Sequence, residues 1–299
     1  MSAPSPDARP GVQPVQLRFW GVRGSIPVPG PGTARYGGNT PCISLEAAGL
    51  PLLMLDAGTG ARALGHEIEA RGDRDVELVL SHTHWDHIHG LAFFPPLYGP
   101  EGRVRITGPR QPAGLRTVLE RLSAWENFPI PASRWHGLRE VREVGPGPLD
   151  AGGWQLQAVR LSHPGQTLGF RIDHPVPGGL AYVSDNELTG DRHGLDPAWR
   201  RTLVDFLRGV GTLIHDTTWR DDQADAHAGW GHSSPGEAVA LAAEAGCRRL
   251  YLFHHSPDHD DDMMDRLLEE TRQTAARAGA RLVVDAAIEG STLMLDQED

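Results

Sequence analysis

VELVLSHTHWDH, residues 76–87, carries an apolar run straight into a tight group of polar side chains. The run is almost continuously apolar rather than alternating, as in a strand covered on both faces. In layered α/β proteins the segments just beyond the carboxyl ends of strands are where ligands bind. Here that segment offers His82, His84, Asp86 and His87. Imidazoles and a carboxylate this close together form a donor set for zinc, manganese or iron. A polar turn with scattered histidines is the weaker reading, because so many titratable groups are costly to bury without a partner.

Working outward, three other strand-like runs end on a His or an Asp: WQLQAVRLSH (154–163) on His163, LAYVSD (180–185) on Asp185, and RLYLFHH (249–255) on His254 and His255. Each alone is weak, since a strand-terminal Asp commonly caps the next turn. Together with HTHWDH they point to one site shared by several strand ends.

The remaining chain alternates strand and helix signals. Strands are expected at VQLRFW (15–20), ISLEAA (43–48), PLLMLD (51–56), VRITG (104–108), TLGFRID (167–173), TLIHD (212–216) and RLVVDA (281–286). Helices are expected at 60–71, 113–124, 196–208, 235–245 and 259–278, most with an acidic, Ser or Pro start and a Gly stop. Strands dominate the first half and βα alternation the second, which gives an α/β fold. Residues 1–14 read as a flexible tail and 15–299 as one hydrolase-sized domain.

Composition bounds the function. The net charge is −11 and all 28 basic residues are arginine. Long-range gathering of extended nucleic acid is therefore disfavoured, lysine Schiff-base chemistry is excluded, and local arginine binding of a small phosphate is retained. Cys42 and Cys247 stand in no CxxC pattern and read as buried thiols. There is no apolar run of roughly 18 residues and no signal-peptide pattern at the start, so a cytoplasmic protein without a membrane span is expected.

HxHxDH followed by a strand-terminal His, an Asp and a last His resembles the metallo-β-lactamase superfamily over nearly all of the chain after the tail. The resemblance implies a four-layer αββα sandwich, two mixed β-sheets flanked by helices, and two divalent metal ions, zinc or manganese. His82, His84 and His163 would hold one ion, Asp86, His87 and His254 the other, and Asp185 would bridge them. His254 is preferred to His255 because HHSP is similar to the HxS ending of the phosphodiesterase branch.

LIHDTTW (213–219) and GHSS (231–234) resemble paired motifs of ribonuclease Z and its small phosphodiesterase relatives. This implies an Asp216–His232 dyad in which the carboxylate orients the imidazole and His232 protonates a leaving oxygen. Asp86 would orient the metal-bridged hydroxide. Without the resemblance, His232 is as readily a loop residue before Ser234 and Pro235. The loop GVRGSIPVPGPGTARYGGNTPC (21–42) resembles the opening of cyclic-nucleotide phosphodiesterase-like members, with Ser25, Asn39 and Thr40 as substrate contacts.

The expected activity is hydrolysis of a small phosphodiester, a cyclic nucleotide being favoured. A nuclease acting on RNA or DNA ends, a non-phosphate ester or lactone hydrolase, and a non-catalytic metal-binding scaffold are the alternatives, and a homodimer is compatible with any of them. A tRNA-gripping arm would fall between His163 and Asp185, where the sequence holds only an apparent hairpin. DHDDDMMD (258–265) reads as a helix start, with acids at the positive end of the dipole, rather than a third metal site. Trp85, Phe93, Phe94 and Tyr98 beside the metal motif could stack a base, but packing under the loop is the preferred reading.

Overall fold

The computed structural model describes residues 14–190 and 193–295. The expected tail, apart from Pro14, lies outside the described residues. The strands are β1 (Val15–Gly21), β2 (Cys42–Glu46), β3 (Leu52–Leu55), β4 (Asp75–Val79), β5 (Arg103–Pro109), β6 (Leu138–Val144), β7 (Gly147–Ala151), β8 (Trp154–Arg160), β9 (Leu168–His174), β10 (Leu180–Val183), β11 (Thr212–Asp216), β12 (Arg249–Phe253), β13 (Val283–Ala286) and β14 (Thr292–Leu295). Among the described residues they form two seven-stranded sheets, ordered β14-β1-β2-β3-β4-β5-β6 and β13-β12-β11-β10-β9-β8-β7.

Side-chain alternation explains why the inner strands read as continuous apolar runs. In β3, Leu53 and Leu55 face the core between the sheets, while Leu52 and Met54 face the outer layer. In β12, Tyr251 and Phe253 point inward and Leu250 and Leu252 outward. At these strands both faces of the sheet are thus buried. The outer layer of the first sheet is built by α1 (Ala61–Arg71), α2 (Trp85–Ile88), short 3-10 turns and α3 (Leu115–Leu122). That of the second is built by α4 (Trp199–Leu207), α5 (Pro235–Ala245) and α6 (Asp261–Arg277). The result is the expected αββα sandwich.

The expected start and stop signals are both present at α5, and the acidic start at α6, whereas α1, α3 and α4 begin without a side-chain cap. Helix α5 starts with a capping box between Ser234 and Glu237, with Pro235 at its first position, and stops at left-handed Gly246. Asp260 accepts the Met263 amide at the start of α6, and Asp261 accepts the amides of Arg35 and Tyr36. The acidic segment therefore caps a helix and ties down the loop after β1. Cys42 and Cys247 are free and buried, as expected. No helix of the described residues is long and apolar enough to cross a membrane.

Direction of travel positions the site. β3, β4 and β5 run parallel in the first sheet, and β10, β11 and β12 run parallel in the second. β8 is antiparallel to β9, which is antiparallel to β10, so β8 ends on the same side as β10. The carboxyl ends of these strands converge on one rim of the sandwich.

Candidate functional site

Two four-residue groups of ligand-type side chains meet at this rim, His82, His84, His163 and Asp185, and Asp86, His87, Asp185 and His254, with a smaller third, Asp216, His232 and His254, beside them. In each group the candidate ligand atoms lie within 4.8 Å of one another, and Asp185 belongs to both four-residue groups. The seven residues expected from sequence are thus brought together in the expected grouping. Each four-residue group draws two residues from the segment after β4 and two from the second sheet.

The imidazoles are held from behind. His82 Nδ1 lies 3.0 Å from Ser81 Oγ, His87 Nδ1 2.8 Å from Asp56 Oδ2, His163 Nδ1 2.8 Å from the Gly231 carbonyl, and His254 Nδ1 3.0 Å from Thr218 Oγ1. With Nδ1 occupied, Nε2 is the nitrogen left for the cluster in all four. His84 is turned the other way, its Nδ1 lying 3.0 Å from His163 Nε2.

His254 rather than His255 joins the cluster for a conformational reason. β12 ends at Phe253, and His254 takes φ 58, a left-handed conformation that interrupts the alternation of the strand. His255 is directed elsewhere, with Nε2 2.8 Å from the Ala287 carbonyl.

Charge and burial favour a cation. Burial, reinforced by His87, pushes His82 well below the ordinary imidazole range, and burial brings His163 down to about 4. Burial would raise the carboxylates, but neighbouring imidazoles prevail: His87 and His254 hold Asp86 well below its ordinary value, and His254, His87 and His82 do so for Asp185. Burial would lower His87 as well, yet Asp185, Asp86 and Asp56 hold it well above the ordinary range. Among the buried atoms that face the cluster, His82 Nε2 has no hydrogen-bond partner, and His87 Nε2 and Asp185 Oδ1 have only each other, 3.1 Å apart as an ion pair. Low-pKa imidazoles at His82 and His163 beside ionised carboxylates form a donor set that fits divalent metal ions, and the positive charge that Asp185, Asp86 and Asp56 favour on His87 is one that such an ion would supply in its place.

Beside the clusters stands the expected dyad. His232 Nδ1 is 2.9 Å from Asp216 Oδ2. Burial opposes protonation of His232, but Asp216, with help from Asp185 and Asp86, raises its pKa to about 9. Asp216 Oδ1 accepts the Thr218 hydroxyl at 2.6 Å, so Thr218 links the dyad to His254. A cleft of about 410 Å³ opens over this assembly, lined by Ser25, Thr83, His84, Trp85, Asp86, Asp185, His232 and His254.

The three expected substrate contacts separate. Ser25 lines the cleft, its amide donating to Asp86 Oδ2 at 2.8 Å. Asn39 and Thr40 do not line it. Asn39 Nδ2 donates to Glu289 at 2.6 Å and its Oδ1 accepts from Thr59, while buried Thr40 exchanges hydrogen bonds with Thr59. Both side chains are engaged in fixing the loop after β1 and face away from the cleft over the clusters.

Sequence reading missed Asp56, which accepts from His87, from the Ser81 amide and hydroxyl, and from the Tyr182 hydroxyl. The signal was present: Asp56 ends PLLMLD as Asp185 ends LAYVSD. Glu187, which accepts the amides of Gly229 and Gly231 and so shapes the loop before His232, carried no such signal. Among the flanking aromatics, Phe94 is fully buried and the Tyr98 hydroxyl bonds the Ala92 carbonyl, whereas Trp85 is 79% exposed and Phe93 52%.

Residues 53–255, well over half of the chain, match the family model described as a beta-lactamase superfamily domain. Ribonuclease BN of Escherichia coli strain K12 is 27% identical, over 74% of this chain and 84% of that protein. The metallo-beta-lactamase fold protein YhfI from Bacillus subtilis superposes with a TM-score of 0.69 at 18% identity, covering 94% of this chain and 99% of that one. A diphosphatase from the PhnP family gives a TM-score of 0.65, also at 18% identity, covering 94% and 98%. By family model, fold and site together, the chain belongs to the metallo-β-lactamase superfamily.

Proposed function

We propose that this hydrolase is a metal-dependent phosphodiesterase acting on a small phosphodiester, with a cyclic nucleotide as the favoured substrate. The observation that carries the reading is His232, held from behind by buried Asp216, in the wall of the same cleft as the two ligand clusters. Bound at the clusters, a pair of divalent ions, zinc or manganese, supplies Lewis-acid neutralisation of phosphate oxygens and lowers the pKa of water.

The chain's own groups do the rest. Asp86 Oδ2, fixed by the Ser25 amide at 2.8 Å, orients the attacking water. His232 bonds Asp216 through Nδ1, which leaves its other N–H to face the cleft. Held above neutrality, the imidazolium protonates the departing oxygen and is left as a neutral ring. Acyl hydrolysis of a β-lactam or lactone shares the clusters but has no need of this second pair.

A second reading, a ribonuclease acting on RNA ends, is favoured by the resemblance to ribonuclease BN. Against it stand the net charge of −11 and the use of the segment between His163 and Asp185 for the tight β9–β10 hairpin. The test is a panel of bis(p-nitrophenyl) phosphate, cyclic AMP, a tRNA precursor and a β-lactam, presented to protein loaded in turn with manganese and zinc. Turnover of the small diesters is expected. Cleavage of the β-lactam alone, or salt-sensitive cleavage of the RNA alone, overturns the reading.

A further inference from the structure

A second cavity, of about 570 Å³, adjoins the metal cleft and shares Thr83 and Trp85 with it. Its far wall comes from the segment between β5 and β6, which contributes Arg121, Glu126, Asn127 and Phe128. Phe93 and Phe128 meet edge to face, with ring centroids 5.3 Å apart at 77°. Trp85, placed between two of the cluster residues, keeps 79% of its surface exposed, and Phe93 keeps 52%. Large aromatic surfaces left open in a concave site next to a reaction centre are what a planar ligand would cover.

The polar groups narrow the ligand. Arg121 and Glu126 bring one charge of each sign, which suits a neutral group with donors and acceptors rather than another phosphate. The Asn127 amide donates to the Arg121 carbonyl at 3.0 Å, so its oxygen is left to accept from a ligand edge. The size is in the range of small-molecule sites.

We infer that this cavity is a nucleobase subsite, in which the base of a nucleotide phosphodiester stacks on Trp85 and Phe93 while its phosphate lies at the metal clusters. The inference rests on the phosphodiesterase reading and names the part of the substrate that reading leaves open.

Affinity for adenosine 5′-monophosphate and for ribose 5-phosphate, measured calorimetrically on manganese-loaded full chain, isolates the base. Stacking of one base on aromatic side chains predicts that the nucleotide binds about 5- to 150-fold more tightly. Phe93→Ala, and separately Phe128→Ala, should bring the nucleotide down towards ribose 5-phosphate, with tryptophan quenching lost in parallel. Equal affinities in the unaltered protein overturn the inference, as does a preference that survives both substitutions. So does a protein dimerising over this cavity with no nucleotide response. Turnover of bis(p-nitrophenyl) phosphate is scored separately: a base preference without it sinks the phosphodiesterase and keeps the subsite, and turnover without a preference does the reverse.

Discussion

Asp56 and His87 are joined at 2.8 Å in the buried floor of the site, and the same carboxylate oxygen also accepts the Tyr182 hydroxyl at 2.8 Å. Asp56 thus fastens a candidate ligand from the first sheet to a core tyrosine of the second. Asp56→Asn keeps the volume but places an amide where Ser81 and Tyr182 donate. Outer partners of metal-bound imidazoles typically contribute about 10- to 100-fold in metal affinity or activity. A loss of that order is expected in competitive chelator titration, and unaltered affinity would make Asp56 a packing residue only.

His232→Ala should slow poor leaving groups by about 10²- to 10⁴-fold, the usual span for general acid catalysis, while sparing p-nitrophenolate esters. Metal content measured on the same preparation must stay constant. Equal losses on both kinds of ester would assign His232 to positioning.

Gly231 is constrained twice. Its φ of 85 is left-handed, and a Cβ there would run into His163 Nδ1, the atom its own carbonyl holds. Gly231→Ala should displace His163 and lower the metal-to-protein ratio, with a drop in stability of about 1–3 kcal/mol. Thermal unfolding and elemental analysis on one sample check both, and a variant with full metal content would show that the loop yields.

His259 lies under the loop after β1, its carbonyl accepting from Arg23, and burial with Arg220 and Arg23 brings its imidazole down to about 4. A histidine whose folded pKa lies below its unfolded value binds fewer protons folded than unfolded. Its effect is absent above the unfolded pKa of roughly 6.5 and becomes destabilising as pH falls towards about 4. Urea unfolding of His259→Gln should show a slope flatter by up to about 1.4 kcal/mol per pH unit in that window. Parallel profiles for the two proteins would exclude His259 as a contributor.

β3 and β10 were legible because burial on both faces writes itself as unbroken apolar sequence, and β1 and β8 because apolar and polar residues alternate along them. β6, β7 and β14 were not, and all three are edge strands. β6 is LREVREV, with charges on its open side, and β7 begins Gly-Pro, which a central strand would not tolerate. The clusters were legible because each residue sits where a strand signal stops. Asn39 and Thr40 misled because a polar side chain in a glycine-rich loop looks the same whether it faces a ligand or Glu289 and Thr59. That difference lies in the return of the chain to the loop some 250 residues later, which the local pattern does not carry.

Both clusters are divided evenly between the sheets: His82 and His84 face His163 and Asp185, and Asp86 and His87 face Asp185 and His254. Ions held there would rivet the two halves of the sandwich together at one end. Their escape would then be timed by how often that seam gapes, and the rate of metal exchange becomes a clock for the breathing of the core.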